Sequence, residues 1–106
     1  MAVPVSAPSG DIRIFITTLK PNNKAERYPA KGDLDEPLDG FYVCNESTTG
    51  SIFVNWDQNA TGGETDLFVP ANDFRNIGAR VEKFVSVFAA TLTSVNVIGY
   101  RRASVS

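Results

Sequence analysis

The stretch RVEKFVSVFAATLTSVNVIGYRR, residues 80–102, decides the fold because it is the longest apolar and β-branched run of the chain. Its two halves, residues 81–88 (VEKFVSVF) and residues 95–100 (VNVIGY), both alternate between two sets of side chains. Period-two alternation in valine, isoleucine, threonine and aromatic residues is typical of strands packed on at least one face. The stretch therefore predicts two strands joined through residues 89–93.

A helix ending near Leu92 is the alternative for the first half, because its apolar residues also recur near every 3.6 positions, as a helix requires. These residues are Phe74, Ile77, Val81, Phe84, Val85, Phe88 and Leu92. Three features favour strands instead. The valines are stiff at χ1, Gly78 inside a helix would cost about 1 kcal/mol relative to alanine, and no lysine or arginine marks a helix end near Leu92.

Length and composition are those of one soluble domain. The 106 residues are 42% hydrophobic and 21% charged, with a net charge of −2, so no overall positive field favours nucleic acid or an anionic membrane. No apolar run approaches the roughly 20 residues that span a bilayer, and the opening MAVPVSAPSG lacks the basic region of a signal peptide. We expect a protein without nucleic-acid or membrane partners that is made and kept in a cytoplasm or assembled there into something larger.

Residues able to carry catalysis or bind a metal are scarce. The chain has no histidine and one cysteine, Cys44, in a strand-like run typical of a buried free thiol. The acidic run at residues 33–39 fails the pattern of a calcium loop, because Pro37 holds its fifth position and no glutamate closes it. No second acidic cluster offers the carboxylate pair of a glycosidase. We therefore expect no enzyme activity, no cofactor and no metal.

The first residues predict an extended arm, because small apolar residues and prolines there have neither helical nor strand period. A disordered terminus is one interpretation; the other is an arm that contacts a neighbouring subunit through Val3, Pro4, Val5 and Pro8. The domains are accordingly an arm at residues 1–10 and a single β-sandwich domain at residues 11–106.

Residues 20–39 read as one long irregular loop, broken by three prolines and by Asn22-Asn23. Loops of this length inside a compact domain are often functional. This loop is basic in its first half and acidic in its second, which suits a complementary partner surface. The predicted partner-binding residues are Lys24, Arg27, Tyr28, Asp33, Asp35 and Glu36. The alternative is a solvated loop tethered by Tyr28 and Leu34.

The remaining segments predict further strands. Residues 11–19 alternate, with Ile12, Ile14 and Ile16 on one face. Residues 40–46 and 51–57 are predicted to form a hairpin across the turn at residues 47–50. Short strands follow at residues 65–70 and 74–77, which gives about six or seven strands in all. We predict an all-β, antiparallel β-sandwich, jelly-roll-like or immunoglobulin-like, with an extended N-terminal arm.

The short Pro/Ser/Ala arm, the small all-β body, the run LFVPANDFRNIG and the closing SVNVIGYRR together resemble small structural proteins of tailed-bacteriophage virions. Proteins of that class act as capsid cement or decoration, as head-tail connectors or as fibre-attachment pieces. The resemblance implies a homo-oligomer located in the virion that binds capsid or head-tail subunits, and it carries no catalytic residue. Apolar residues on both faces of several strands also suggest contacts with another chain.

A carbohydrate-binding module or receptor-binding fibre piece is the alternative function. Aromatic side chains can form a platform for a sugar ring, and the candidates are Trp56, Tyr42, Tyr28 and Tyr100. This interpretation predicts an exposed Trp56, whereas a buried Trp56 favours the assembly protein.

Overall fold

The computed structural model describes residues 11–102 and contains eight strands. These are β1 (Asp11–Leu19), β2 (Lys24–Tyr28), β3 (Gly40–Asn45), β4 (Ile52–Asn55), β5 (Leu67–Val69), β6 (Phe74–Ile77), β7 (Val85–Ala89) and β8 (Val95–Arg102). No helix that could cross a membrane is found in this part of the chain. The arm expected at residues 1–10 lies outside the described residues.

The strands form two four-stranded sheets, with orders β1-β8-β3-β6 and β2-β7-β4-β5. Every pairing is antiparallel. The first strand pairs with the eighth, the second with the seventh, the third with the sixth and the fourth with the fifth. The predicted all-β class with a sandwich-like arrangement of antiparallel sheets is confirmed, with more strands than the sequence indicated.

One apolar core lies between the sheets, and every strand except β2 supplies at least one buried side chain to it. In β7, Val85, Val87 and Ala89 are fully buried, and in β8 so are Val95 and Val97. Burying one such valine stabilises the fold by about 1.5–3 kcal/mol relative to leaving it exposed. The alternation seen in the sequence thus fixes which faces of these strands turn inward.

The prediction of strands rather than a helix after residue 80 is confirmed, but the first strand is shorter than expected. Residues 80–84 precede β7 and belong to no strand, and Val81 forms an isolated β-bridge with Leu38. Because β7 and β8 belong to different sheets, the residues between them cross from one sheet to the other. The second strand extends beyond Tyr100, since β8 continues to Arg102.

The prediction of one irregular loop over residues 20–39 is wrong in its first half, where β2 forms. Asn23 adopts φ 54°, a left-handed conformation that asparagine tolerates in turns. The next five residues, KAERY, then pair with β7. They carry little apolar alternation because β2 is a sheet edge with only partly buried side chains, so long-range pairing rather than local pattern makes them a strand.

The predicted hairpin of residues 40–46 and 51–57 is also wrong. β3 pairs with β8 and β6, whereas β4 pairs with β5 and β7 in the opposite sheet. The buried Asn45 side chain fixes the corner between them: its Nδ2 donates to the Gly50 carbonyl at 2.8 Å, and its Oδ1 accepts from the Ser47 amide at 3.0 Å. A short glycine-containing link can serve a hairpin or a corner, and here it serves a corner.

A bulge in β1 overturns the expectation that three isoleucines share one face. The register runs from Arg13 opposite Tyr100 to Phe15 opposite Gly99, which leaves Ile14 as the extra residue. Ile14 packs against the core, while Ile12 and Ile16 are 51% and 59% exposed. The extra residue re-aims the side chains on either side of it.

Candidate partner-binding groove

A groove of about 700 Å³ opens along one side of the sandwich. Its walls are the edge strands β1 and β2 together with the loop at residues 29–36. Phe15 of β1 and Tyr28 of β2 both line it and stack on each other, with ring centroids 4.2 Å apart and planes inclined by 14°. The stacked pair gives the groove an aromatic lining at the point where the two sheets meet.

Backbone hydrogen bonds hold the loop that closes the groove. The Leu34 amide donates to the Lys83 carbonyl at 2.7 Å, and the Leu38 amide donates to the Val81 carbonyl at 2.8 Å. The Leu34 side chain also packs against the core, and the Tyr28–Pro29 peptide is cis. The loop is thus tethered at both ends of its acidic run.

Charged side chains also line the groove. Asp33, Asp35 and Glu36 lie on the loop, while Arg27 and Lys31 are the cationic members of the lining. Glu36 pairs with Arg101 at 3.4 Å, an exposed contact that contributes little to stability. Carboxylates outnumber cations here, which favours a partner segment with few acidic side chains.

The basic side of the groove is organised by Arg27. Its guanidinium carbon lies 4.6 Å from the centre of the Phe84 ring, and its Nε donates to the Ala30 carbonyl at 3.4 Å. A cation over an aromatic face is held by the negative charge density of the ring. The arginine is therefore anchored beside the groove rather than free to pair with the acids opposite.

The structure brings together five of the residues predicted to bind a partner. The residues that line the groove are Arg27, Tyr28, Asp33, Asp35 and Glu36. Lys24 does not join them, because it is exposed at the far end of β2 opposite Ala89. Val3, Pro4, Val5 and Pro8 lie outside the described residues.

Nothing in the sequence indicated that β1 would share this site. Ile14, Phe15, Thr17 and Leu19 all line the groove, yet they precede the acidic run in the chain and belong to another sheet. Only the packing of β1 beside β2 joins them to it. The one local feature that could have indicated a role for β1 is Phe15, a large aromatic residue predicted on the strand face opposite the three isoleucines.

The aromatic residues proposed as a sugar platform do not form one. Tyr28 stacks on Phe15 in the groove, and Tyr100 is 1% exposed with its hydroxyl donating to Asn76 Oδ1 at 2.9 Å. Trp56 is partly buried and meets the Phe41 ring edge-on, 5.7 Å between centroids. Trp56 is therefore neither fully exposed, as carbohydrate binding predicts, nor fully buried, as the assembly protein predicts.

Two shallow clefts flank Trp56 at the end of β4. Asp57, Gln58 and Thr65 border the first, and Asp57, Arg80, Glu82 and Lys83 border the second. Lys83 Nζ lies 3.4 Å from Asp57 Oδ1. An indole edged by carboxylate, amide and hydroxyl groups is a small site of mixed polarity.

The candidate groups for catalysis or metal binding are the Cys44 thiol and the side-chain carboxylates. Cys44 is 2% exposed, and burial raises the pKa of its thiol to about 11, with a smaller contribution from Glu46. A thiol with that pKa is protonated at neutral pH and so is a poor nucleophile. Among residues 11–102, no group of three or more Cys, Asp or Glu side chains is placed to hold a metal ion.

Comparison with protein-family models, with curated proteins and with solved structures finds no match to this chain.

Proposed function

We propose that the chain is a jelly roll that serves as a non-enzymatic structural protein of a virion, where it binds and stabilises capsid or head-tail subunits. The strand order supports the jelly-roll assignment. Eight strands in two four-stranded sheets, paired first with last and inward to fourth with fifth, are what results from rolling up one long hairpin. An immunoglobulin sandwich has seven or nine strands in a different order, and β1 would then pair with β2.

Jelly rolls occur in viral capsid and lectin domains, and the groove favours the first of these. Its lining combines an aromatic pair, Phe15 and Tyr28, with charged side chains. Protein interfaces are built in the same way, with an apolar centre and a polar rim. The groove is the observation that carries the proposal, because it gathers five of the six residues that the sequence nominated for partner contacts within residues 20–39.

The proposed location is the virion, with assembly in the host cytoplasm and a homo-oligomeric state. The test is mass spectrometry of particles purified from the source of this sequence. We expect the chain in the particles at a fixed ratio to the major subunit. Its absence from every purified particle would contradict the proposal.

Reversing the charge of the three acidic side chains of the groove should weaken incorporation of the chain into particles. We expect D33K/D35K/E36K to lower the amount of chain per particle by at least about tenfold, because it places cations where the partner meets carboxylates. All three side chains are exposed, so the fold should tolerate the change. Quantitative mass spectrometry of particles, relative to the major subunit, measures it.

The matched control reverses three exposed acids away from the groove, in D57K/E64K/E82K. The net charge changes equally, so equal losses in both variants would point to overall charge and not to the groove.

Deleting residues 1–10 tests the arm in the same assay, and undiminished incorporation would remove the arm from the proposed contacts.

Carbohydrate binding is the second candidate function, and the clefts beside Trp56 are the observation that favours it. The chain contains one tryptophan, so its fluorescence reports this site alone. If the site binds sugar, titration with a panel of neutral and acidic glycans should shift the emission, and D57A should abolish the shift. Unchanged emission at millimolar glycan, about the weakest affinity of interest, would exclude it.

A further inference from the structure

The four sheet edges of this fold differ sharply in how well they are protected. Edge strands expose unpaired backbone groups, and short length, charged side chains and proline discourage other chains from pairing with them. β5 has three residues and β6 has four, with Arg75 among them. β2 has five residues, KAERY, and Pro29 follows it. These three edges are short, charged or both.

In the fourth edge, β1, the charged residues Asp11 and Arg13 and the bulge at Ile14 all come before Phe15, so residues 15–19 have none of this protection. The strand β1 has nine residues and, within residues 11–102, pairs with β8 alone. Ile12 and Ile16 are 51% and 59% exposed, among the most exposed large apolar side chains of the described chain. A long edge strand with exposed isoleucines is a template for pairing with another strand.

We propose, resting on the assembly role above, that β1 pairs antiparallel with β1 of a second copy of this chain, so that two four-stranded sheets join into one. The pairing uses residues 15–19, which follow the bulge and keep an unbroken register with β8. Edge-to-edge pairing of identical strands about a two-fold axis is self-complementary. Because β1 is also a wall of the groove, the second copy would lie next to the groove.

The sequence of residues 15–19, FITTL, suits pairing with itself. With the two-fold axis at Thr17, Phe15 of each copy lies opposite Leu19 of the other, and Thr17 lies opposite its own counterpart. Threonine pairs and aromatic–aliphatic pairs stabilise antiparallel strands. No charged side chain falls within the paired segment, so no like charges meet. Phe15 and Leu19 both line the groove, so the pairing would extend its apolar wall into the second copy.

The test uses the purified chain alone, by light scattering across a concentration series. We expect a dimer from the wild type. We expect I16K to raise the dissociation constant by at least about tenfold, because a lysine on an edge strand opposes strand pairing. L92K is the matched control, since Leu92 is 65% exposed in a loop and its replacement should leave the dimer unchanged.

Cross-linking tests the position of the axis. Residues directly opposite in antiparallel strands have Cα atoms about 4.5–5.5 Å apart, within the range that a disulfide bridges. We expect T17C to give a disulfide-linked dimer on mild oxidation, and T49C, at an exposed turn, to give none. The buried Cys44 does not interfere.

Three results would each overturn the proposal: a monomeric wild type up to about 1 mM, a dimer that I16K leaves intact, or no cross-link through T17C. These outcomes are separable from the proposed function. A monomer that still enters particles through its groove would refute β1 pairing alone, whereas a β1-paired dimer that is absent from particles would refute the virion role alone.

Discussion

Replacing Asn45 by alanine should lower the free energy of unfolding by about 3 kcal/mol, because it strands several buried hydrogen-bonding groups at once. The side chain is fully buried. Its Nδ2 donates to the carbonyls of Gly50 at 2.8 Å and Pro70 at 3.1 Å, and its Oδ1 accepts from the Ser47 amide at 3.0 Å. The side chain therefore ties together the corner from β3 toward β4 and the end of β5.

Thermal and urea unfolding, followed by circular dichroism, would measure this loss, and a drop in midpoint of about 15 °C is expected for a domain of this size. N45D should be worse than N45A at neutral pH, since a carboxylate cannot donate and would face carbonyl oxygens. N59A is the matched control at an exposed loop position, with an expected change within about 0.5 kcal/mol. An N45A variant as stable as N59A would contradict this account of the corner.

Replacing Gly99 by alanine or valine should destabilise the fold by about 2 and 3 kcal/mol respectively, through overpacking. Gly99 is buried in β8 opposite Phe15 of β1. A Cβ atom at this position would overlap the Phe15 ring, whose Cδ2 and Cζ atoms would be 2.7 Å from it. The ring therefore lies across the glycine, and any side chain there must displace it.

A double-mutant cycle identifies the ring as the cause. In an F15A background the space over Gly99 is empty, so G99A should then cost less than about 0.5 kcal/mol, and the coupling energy should exceed about 1 kcal/mol. G78A is the control, because the nearest atom to its Cβ is 3.9 Å away on Arg102 and Gly78 is exposed. Equal costs for G99A with and without Phe15 would show that the glycine serves some other purpose.

Overpacking at Gly99 should also reach the groove. Because Phe15 stacks on Tyr28 at 4.2 Å, a displaced ring would disturb the aromatic part of the proposed binding surface. The stability of β8 and the shape of the groove thus depend on the same contact.

The local pattern of side chains was sufficient to predict a strand wherever one face of that strand is buried. Val85 and Val87 flank Ser86, Val95 and Val97 flank Asn96, and the structure buries all four valines between the sheets. β2 was missed because it has no apolar face to reveal it, and Ile14 was misplaced because a bulge depends on the partner strand. The five groove residues that the sequence nominated share one loop and the strand before it, so their proximity follows largely from chain connectivity.

The sequence by itself determined that this is a small all-β protein, because side-chain alternation and turn residues act within a few positions of the chain. Tertiary structure alone decided that β3 and β4 part into different sheets, that β1 closes against β8, and that Phe15 meets Tyr28. The physical reason is that strand pairing is made by backbone groups, which every residue carries. Partners far apart in the chain are therefore selected by the fit of the whole core, not by any local signal.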